Sequence, residues 1–333
     1  MAVVLYHVPQ ALRHAAGVPR MLDVVFLNGL LGVDAFFVLS GFVISMSVAS
    51  GSWSVGYLLR FVARRSVRLD PSYWAAIAIE LALGWAGVRF LGDQYPFPSL
   101  ADILAHLAYI QGLLQIRQIS DVFWTLCFEV QFYLLLVGLL VVSHANAVKR
   151  SIPPTLLLSI VGLALVAISL AIRSGLVAGP NEGLALIRIY QFALGISAYL
   201  YAANKISATT LSIVAGGIIA ARMADHAFVE TAVLLAAFTT CSVSIRSERF
   251  NQLLDVRPLQ FLGRISYSLY LYHASIIGRA SAVTLMLAKP VSAGMFPLLG
   301  LVAGLLGSIL FSYVMFRLVE APTMKLSRRI RMA

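Results

Sequence analysis

Apolar residues along the chain come in blocks about 20 residues long, separated by short polar stretches. Runs such as Ile152–Ile172 and Leu298–Phe316 show no apolar–polar alternation. At ~1.5 Å of rise per residue, about 20 helical residues cross a hydrocarbon layer of roughly 30 Å. Only helices and closed barrels satisfy their backbone hydrogen bonds in that layer, and the strands of a barrel would alternate. The pattern therefore predicts an all-α fold, a polytopic transmembrane helix bundle.

The blocks predict about ten helices in a single domain that covers residues 1–333. The predicted segments are a short helix ending near Val8 and residues 30–49, 71–91, 122–142, 155–173, 184–203, 207–222, 228–245, 260–278 and 294–317. A weaker amphipathic segment, Leu100–Ile116, is expected to lie along the membrane interface. Only six residues precede His7, too few to cross a bilayer. We therefore expect the first helix to be truncated, with part of it encoded upstream of the given start.

The composition supports a membrane protein, because hydrophobic residues make up 60% of the chain and charged residues only 12%. Soluble domains contain about a quarter charged residues. The net charge of +11 would suit a nucleic-acid partner, but the basic residues lie between apolar blocks and form no single stripe with aromatics. The expected partner is a lipid bilayer and not a nucleic acid. Cys127 and Cys241 lie in apolar segments and are predicted to be packed thiols, with no metal site.

The distribution of Lys and Arg between alternate sides of the bundle predicts its orientation, because cytoplasmic loops are enriched in both. The predicted loop Arg60–Arg68 and the residues after Arg317 lie on the richer side. We therefore expect this loop and the C-terminus to be cytoplasmic in a cell inner membrane. An even number of helices would place the N-terminus there as well.

Ionisable side chains at membrane depth are costly and are therefore candidate functional residues. His7 ends an apolar run, and an imidazole suits a general base or a transient acyl carrier. Asp34 begins a span in which Ser40 and Gly41 allow close helix approach or a cavity. Glu129 lies within a span and needs an arginine, a histidine or a proton as partner. A purely structural role remains an alternative for each of them.

The predicted cytoplasmic loop carries three arginines that could bind phosphate. Arginine forks match phosphate oxygens, so Arg64, Arg65 and Arg68 are candidates for holding the phosphates of a nucleotide-type donor. Pro71, just after the loop, suits the first turn of the next helix. The alternative is that these arginines serve only as topology anchors.

A late segment, FLGRISYSLYLYH, places Ser266, Tyr270 and His273 at i, i+4 and i+7. This spacing forms a polar stripe on one helix face. A packed aromatic stripe with satisfied hydroxyl groups is the alternative. The segment Val319–Pro322, VEAP, is interpreted as a structural end to the last helix.

Taken in order, these motifs resemble acyltransferase family three, the bacterial membrane acyltransferases that modify cell-surface glycans, lipo-oligosaccharides and some antibiotics. The resemblance runs from His7 to about Pro322 through GVDAFFVLSGFVIS, RRSVRLDPSYW, FWTLCFEVQFYL, FLGRISYSLYLYH and VEAP. It implies a bundle of about ten helices that moves an acyl group, commonly acetyl. The donor would be cytoplasmic acyl-CoA, and the acceptor would lie at the outer face.

The resemblance also implies roles for individual residues. His7 matches the essential histidine of the family, and Arg65 and Arg68 match its RxxR motif. The remaining matches are Asp34, Ser40 and Gly41 in the glycine/serine motif, Trp124 and Glu129 in the next motif, and Tyr267 and His273 in the late tyrosine-rich block. The family usually carries Arg or Lys about ten residues before the histidine, and the given chain has no such position.

These inferences lead to one mechanism and two rivals. Acyl-CoA, with its phosphates on Arg64, Arg65 and Arg68, would acylate a carbohydrate or lipid-linked glycan hydroxyl. His7 would act as base or acyl carrier, with Glu129 or Asp34 fixing its imidazole. The rivals are a transporter or flippase of a lipid-linked sugar, with Glu129 and Asp34 as coupling groups, and a catalytically decayed membrane partner protein. The identity of the acceptor and the length of the acyl chain remain open.

Overall fold

The structure, a computed structural model, describes residues 2–7, 27–49, 51, 53–92, 94–150, 154–179, 181–287 and 296–332. Helices connected by turns make up this part of the chain, and no strand occurs among the described residues. The predicted all-α helix bundle is therefore confirmed. Val8, near which the first helix was expected to end, lies outside the described residues.

Fourteen helices follow one another along the described segments. In chain order they are α1 Ala2–Tyr6, α2 Gly32–Val48, α3 Val55–Ala86, α4 Leu100–Leu107, α5 Trp124–Arg150, α6 Pro154–Arg173, α7 Ile189–Ala202, α8 Ala208–Ala224, α9 Phe228–Ser244, α10 Glu248–Leu254, α11 Arg257–Arg264, α12 Ser266–Leu287, α13 Phe296–Met315 and α14 Ala321–Ser327. Single 3₁₀ turns precede α2 and α7, at Gly29–Leu31 and Ala185–Arg188. A π turn at Phe316–Glu320 joins α13 to α14.

Five helical segments of the described chain are long and apolar enough to cross a membrane. They are Gly29–Val48, Trp124–Asn146, Leu156–Arg173, Ala185–Ala202 and Val302–Ser327. A sixth is obtained if α9 and α10, which meet at a bend of 119°, count as one span. The chain is thus a multi-pass helical protein by length and composition.

The predicted loop at Arg60–Arg68 is wrong, because these residues lie inside the 32-residue helix α3. The hydroxyl oxygen of Ser54 accepts the backbone N–H of Tyr57 at 3.1 Å and caps the helix start, well before the predicted one. Tyr57 and Phe61, one turn apart, bury one face of this charged half. Pro71 therefore lies in the helix interior and not in its first turn.

The predicted helix 260–278 is interrupted at Ile265, which separates α11 from α12. The reason is a cap supplied from another segment. The Glu320 carboxylate accepts the backbone N–H of Ser268 at 3.1 Å and its hydroxyl at 2.5 Å. An anion at a helix start satisfies donors that have no partner within the helix, so a new helix begins at Ser266.

The amphipathic segment Leu100–Ile116 is helical only as far as Leu107 and continues as turns. Ser99 and Asp102 form a capping box at the start of α4. His106 is fully buried; its Nδ1–H donates to the Asp102 carbonyl at 2.7 Å, and its Nε2 accepts the Ile119 N–H at 3.1 Å. These two bonds hold the neutral imidazole in one tautomer and tie the turns to α4.

The close helix approach predicted at Gly41 is confirmed. A β-carbon added at Gly41 of α2 would overlap the carbonyl oxygen of Phe192 on α7, and one added at Gly195 would overlap the carbonyl oxygen of Val38. The two backbones therefore touch on both sides of the contact. The rings of Phe132 and Phe192 stack beside it, with centroids 3.9 Å apart. Helix α2 thus lies at the centre of the apolar core.

The two cysteines are free and buried, as predicted for packed thiols. Cys127 belongs to the core around α2 and α5, and Cys241 to the core between α7 and α9.

Candidate active site

An ion pair inside the bundle joins α3 to α5. Arg65 Nη2 donates to Glu129 Oε1 at 2.7 Å, and Ser40 Oγ of α2 donates to the same oxygen at 3.1 Å. The guanidinium of Arg65 also lies over the Tyr133 ring, 4.9 Å from its centroid. The partner that the sequence required for Glu129 is therefore an arginine of the RxxR motif. Ser40, Arg65 and Glu129, predicted from three separate motifs, meet at one point.

The other two predicted phosphate-binding arginines lie on the same helix. Arg68 is exposed and interacts electrostatically with Glu320, Glu129 and Arg65. Arg64 lies near Tyr57, toward the N-terminal end of α3. The structure thus provides basic groups along α3 that could hold an anionic donor, with Arg68 the more accessible. No group of three His, Cys, Asp or Glu side chains in the described residues is arranged to hold a metal ion.

His7, at the end of α1, contacts the late tyrosine-rich helix α12. Its ring makes an edge contact with the ring of His273, with centroids 5.1 Å apart and planes at 67°. His273 is completely buried, and its Nδ1 lies 3.0 Å from the Leu269 carbonyl and 2.8 Å from that of Tyr270. Because both partners are acceptors, Nδ1 carries the proton. Two histidines that the sequence places 266 positions apart are therefore neighbours.

The motif face of α12 contacts three further helices through its tyrosines. Tyr267 donates to the Leu69 carbonyl of α3 at 3.1 Å. Tyr270 donates to the Val122 carbonyl, just before α5, at 2.9 Å, and its ring stacks on Phe36 of α2 at 5.8 Å. Together with His273, these contacts gather α1, α2, α3 and α5 around α12. Of the stripe predicted from spacing, Tyr270 and His273 take part in these contacts, whereas Ser266 is exposed.

Asp34 lies in a separate cluster between α2 and α7. Its Oδ1 accepts Arg188 Nη1 at 2.9 Å and Gln191 Nε2 at 2.6 Å. Asp34 is 5% exposed, so the arginine provides the charge compensation that a buried anion requires. The suggestion that Asp34 or Glu129 fixes the His7 ring stays a prediction, and the structure gives each carboxylate an arginine partner.

Sequence reasoning missed the continuation of this cluster toward α9. Tyr190 donates to Glu230 Oε1 at 2.5 Å, and Arg222 Nη2 donates to Glu230 Oε2 at 3.2 Å. Arg173 lies 3.6 Å from the same carboxylate oxygen. In the sequence, Arg173 and Arg222 lie near the ends of apolar blocks, where an arginine indicates only a side of the membrane. The available signal was a carboxylate at the start of an apolar helix, Glu230, which has to find a cation.

Trp124, the remaining predicted motif residue, lies at the start of α5 with its ring edge-on to Phe128 and Phe37. It packs against the apolar core and connects α5 to α2. Its position is that of a residue that supports this helix contact.

The family profile described as acyltransferase domain matches residues 1–317 of the chain. The chain is 25% identical over 334 aligned residues to the O-acetyltransferase OatA of Staphylococcus aureus (strain NCTC 8325), covering 90% of this chain and 53% of that protein. It is 35% identical over 121 residues to the exopolysaccharide production protein ExoZ of Rhizobium meliloti (strain 1021), covering 34% of this chain and 35% of that protein.

The chain spans about half the length of OatA. No solved structure is significantly similar to it. The family profile, in contrast, covers nearly the whole chain and all the helices whose motifs meet at α12. The chain belongs to the acyltransferase domain family.

Proposed function

We propose that this protein transfers an acetyl group from cytoplasmic acetyl-CoA to a hydroxyl group of a cell-surface or exported carbohydrate. It would do so in the inner membrane, with both termini in the cytoplasm. The acyl group and the acceptor class are those that the names of two relatives indicate, an O-acetyltransferase and an exopolysaccharide production protein.

The observation that carries the proposal is the convergence of separate motifs on the tyrosine face of α12. That face touches His7 through His273, the arginine-bearing helix through Tyr267 and the start of the Glu129 helix through Tyr270. A transfer reaction needs a donor-binding group and a base held in one frame, because orientation supplies much of the rate enhancement. The contacts of α12 supply such a frame.

The donor would bind along the basic half of α3. Arg68 is exposed and Arg64 is partly exposed, and both can turn a guanidinium toward phosphate oxygens. Arg65 is already neutralised by Glu129. We therefore assign phosphate binding chiefly to Arg64 and Arg68, and to Arg65 the task of holding α3 against α5.

His7 would act as the general base. Its imidazole takes the proton of the acceptor hydroxyl while the hydroxyl oxygen attacks the thioester carbonyl. The C–S bond then breaks, the ester remains on the carbohydrate, and the leaving thiolate takes the proton from His7. A positioned base contributes about 10²–10⁴-fold. In the alternative route the histidine first carries the acyl group and then passes it to the hydroxyl.

The test uses membranes that contain the full-length protein and acetyl-CoA labelled in the acetyl group. We expect labelled carbohydrate from the wild type and none from His7→Asn, with equal amounts of inserted protein. The matched control is His226→Asn, which replaces an exposed histidine at a left-handed position that asparagine tolerates. Acetylation by His7→Asn at the wild-type rate would refute the role of His7 as base, and no labelled carbohydrate from the wild type would refute the acetyl transfer itself. Movement of a lipid-linked sugar without consumption of acetyl-CoA would favour a transporter instead.

A further inference from the structure

We propose that His273 is a positioning residue for His7. Its Nε2 accepts the N–H of the His7 imidazole and thereby fixes which His7 nitrogen is free to take a proton. The inference rests on the proposed function, since it concerns the tautomer of the proposed base.

The backbone determines the protonation of His273. Its Nδ1 lies within hydrogen-bond distance of two carbonyl oxygens, those of Leu269 and Tyr270, and must therefore be the N–H nitrogen. Nε2 then keeps its lone pair and is an acceptor. The side chain is 0% exposed, and Nε2 has no hydrogen-bond partner within the described chain. A buried acceptor without a partner is costly and calls for a donor.

The His7 ring lies at the distance that such a donor requires. If each nitrogen is roughly 1.1 Å from its ring centre, an N–H···N bond of about 2.9 Å separates two imidazole centres by about 5 Å. The observed centroid separation of His7 and His273 is 5.1 Å. The proposal requires the His7 ring to rotate so that its N–H points at Nε2.

The two carboxylates predicted to fix the His7 imidazole each have an arginine partner. Glu129 is paired with Arg65 on α3, and Asp34 with Arg188 beside α7. A neutral acceptor such as His273 adds no further charge to the interior, where an unpaired charge would be expensive. Holding a base in one tautomer is also the task of the third group in catalytic triads.

In this arrangement each nitrogen of the His7 imidazole has one role. With one His7 nitrogen donating to Nε2 of His273, the other presents its lone pair to the acceptor hydroxyl. When the hydroxyl proton moves to His7, the ring becomes an imidazolium and its first N–H stays bonded to Nε2. The proton then leaves with the coenzyme A thiolate, so His273 is unchanged over the cycle.

Two substitutions separate the two nitrogens of His273. In His273→Asn the amide N–H₂ can still donate to the carbonyls of Leu269 and Tyr270, but nothing occupies the Nε2 position. In His273→Gln the amide group reaches the Nε2 position and can accept. We expect Asn to lower kcat about 100-fold, within the range of a positioned base, with KM for acetyl-CoA changed less than about twofold. Gln should restore kcat at least about tenfold relative to Asn.

If His273→Asn does not insert, His273→Gln is compared with His273→Met, which has a similar volume and no hydrogen-bonding amide. The proposal then requires a higher kcat for Gln than for Met. Wild-type kcat in the Asn or Met variant, with His7→Asn inactive, would overturn the role of His273 and leave the proposed function intact. Activity that survives both His7→Asn and His273→Asn would overturn the role of His7 as base, whereas no transfer of labelled acetyl by the wild type would overturn the proposed function itself.

Discussion

Arg65 on α3 and Glu129 on α5 form an ion pair of 2.7 Å, with side chains only 16% and 12% exposed. The two partners are 64 positions apart in the sequence. Removing one member of a buried pair leaves the other charge without compensation, which costs about 3–5 kcal/mol. The pair therefore locks α3 to α5.

We expect Arg65→Gln and Glu129→Gln each to lower the free energy of unfolding by about 3 kcal/mol, and the double variant by less than the sum of the two. Thermal unfolding in detergent measures all three. Arg249→Gln, at an exposed position of α10, is the control and should change little. Strict additivity of the two single effects would show that the pair contributes no coupling.

The close contact between α2 and α7 leaves no room for a side chain at two glycines. Gly41→Ala and Gly195→Ala would each drive a methyl group into a backbone carbonyl, and we expect a loss of about 1–3 kcal/mol in stability. Gly217→Ala in α8 is the matched control, because its β-carbon would meet nothing within 4 Å. The control should be neutral or slightly stabilising, since alanine is the better helix former. Equal unfolding temperatures for all three variants would argue against the close contact.

The pairing of Asp34 with Arg188 allows a structural role to be separated from a catalytic one. Asp34→Asn should destabilise the protein, because Arg188 loses its buried counter-charge. Adding Arg188→Gln removes that charge and should recover part of the stability. If activity also returns in the double variant, Asp34 acts through structure alone. If stability returns without activity, the carboxylate takes part in the reaction.

Glu320 caps α12 from the far end of the chain. We expect Glu320→Gln to cost about 1–2 kcal/mol, since it weakens two charge-assisted hydrogen bonds at the start of a helix. Glu248→Gln, at an exposed helix start in α10, is the comparison and should cost less. Identical unfolding curves for both variants would exclude a capping role for Glu320.

His106 predicts a dependence of stability on pH. Burial lowers the pKa of its imidazole below the usual 6.5. The unfolded chain therefore binds a proton more readily, and the stabilising contribution is present above pH 6.5 and lost as the pH falls through the lower folded pKa. Wild type should lose more stability than His106→Asn between pH 7.5 and pH 5, as measured by thermal unfolding. Parallel losses would contradict this origin.

Much of the fold was predictable because the bilayer imposes a length on each apolar block. The requirement that Glu129 find a cationic partner followed from the same physics, as did the close approach at Gly41. What the sequence could not provide was the identity of the partners. Arg65 was assigned to a loop because charge lowers hydropathy, whereas in the folded bundle its guanidinium is neutralised by Glu129 and covered by Tyr133.

The contacts of His273 and Asp34 could not be predicted from the sequence for a different reason. His273 meets a residue 266 positions earlier, and Asp34 meets one 154 positions later. Spacing within a single helix shows which side chains share a face, but not which helix packs on that face. The break before Ser266 likewise depends on Glu320, which lies 52 positions beyond the residue that it caps.

Pro71 has a mechanical consequence for the helix that carries the arginines. Its nitrogen has no hydrogen, so the carbonyl oxygen of Val67, one turn earlier, receives no bond from it. Helix α3 is about 48 Å long, and the missing backbone hydrogen bond lies between Arg68 and the aromatic residues that follow. A helix that lacks one such bond bends more easily at that point than elsewhere. Because the Arg65–Glu129 pair anchors the half that carries the arginines, bending at Pro71 changes the angle between the two halves of α3 while this contact stays in place.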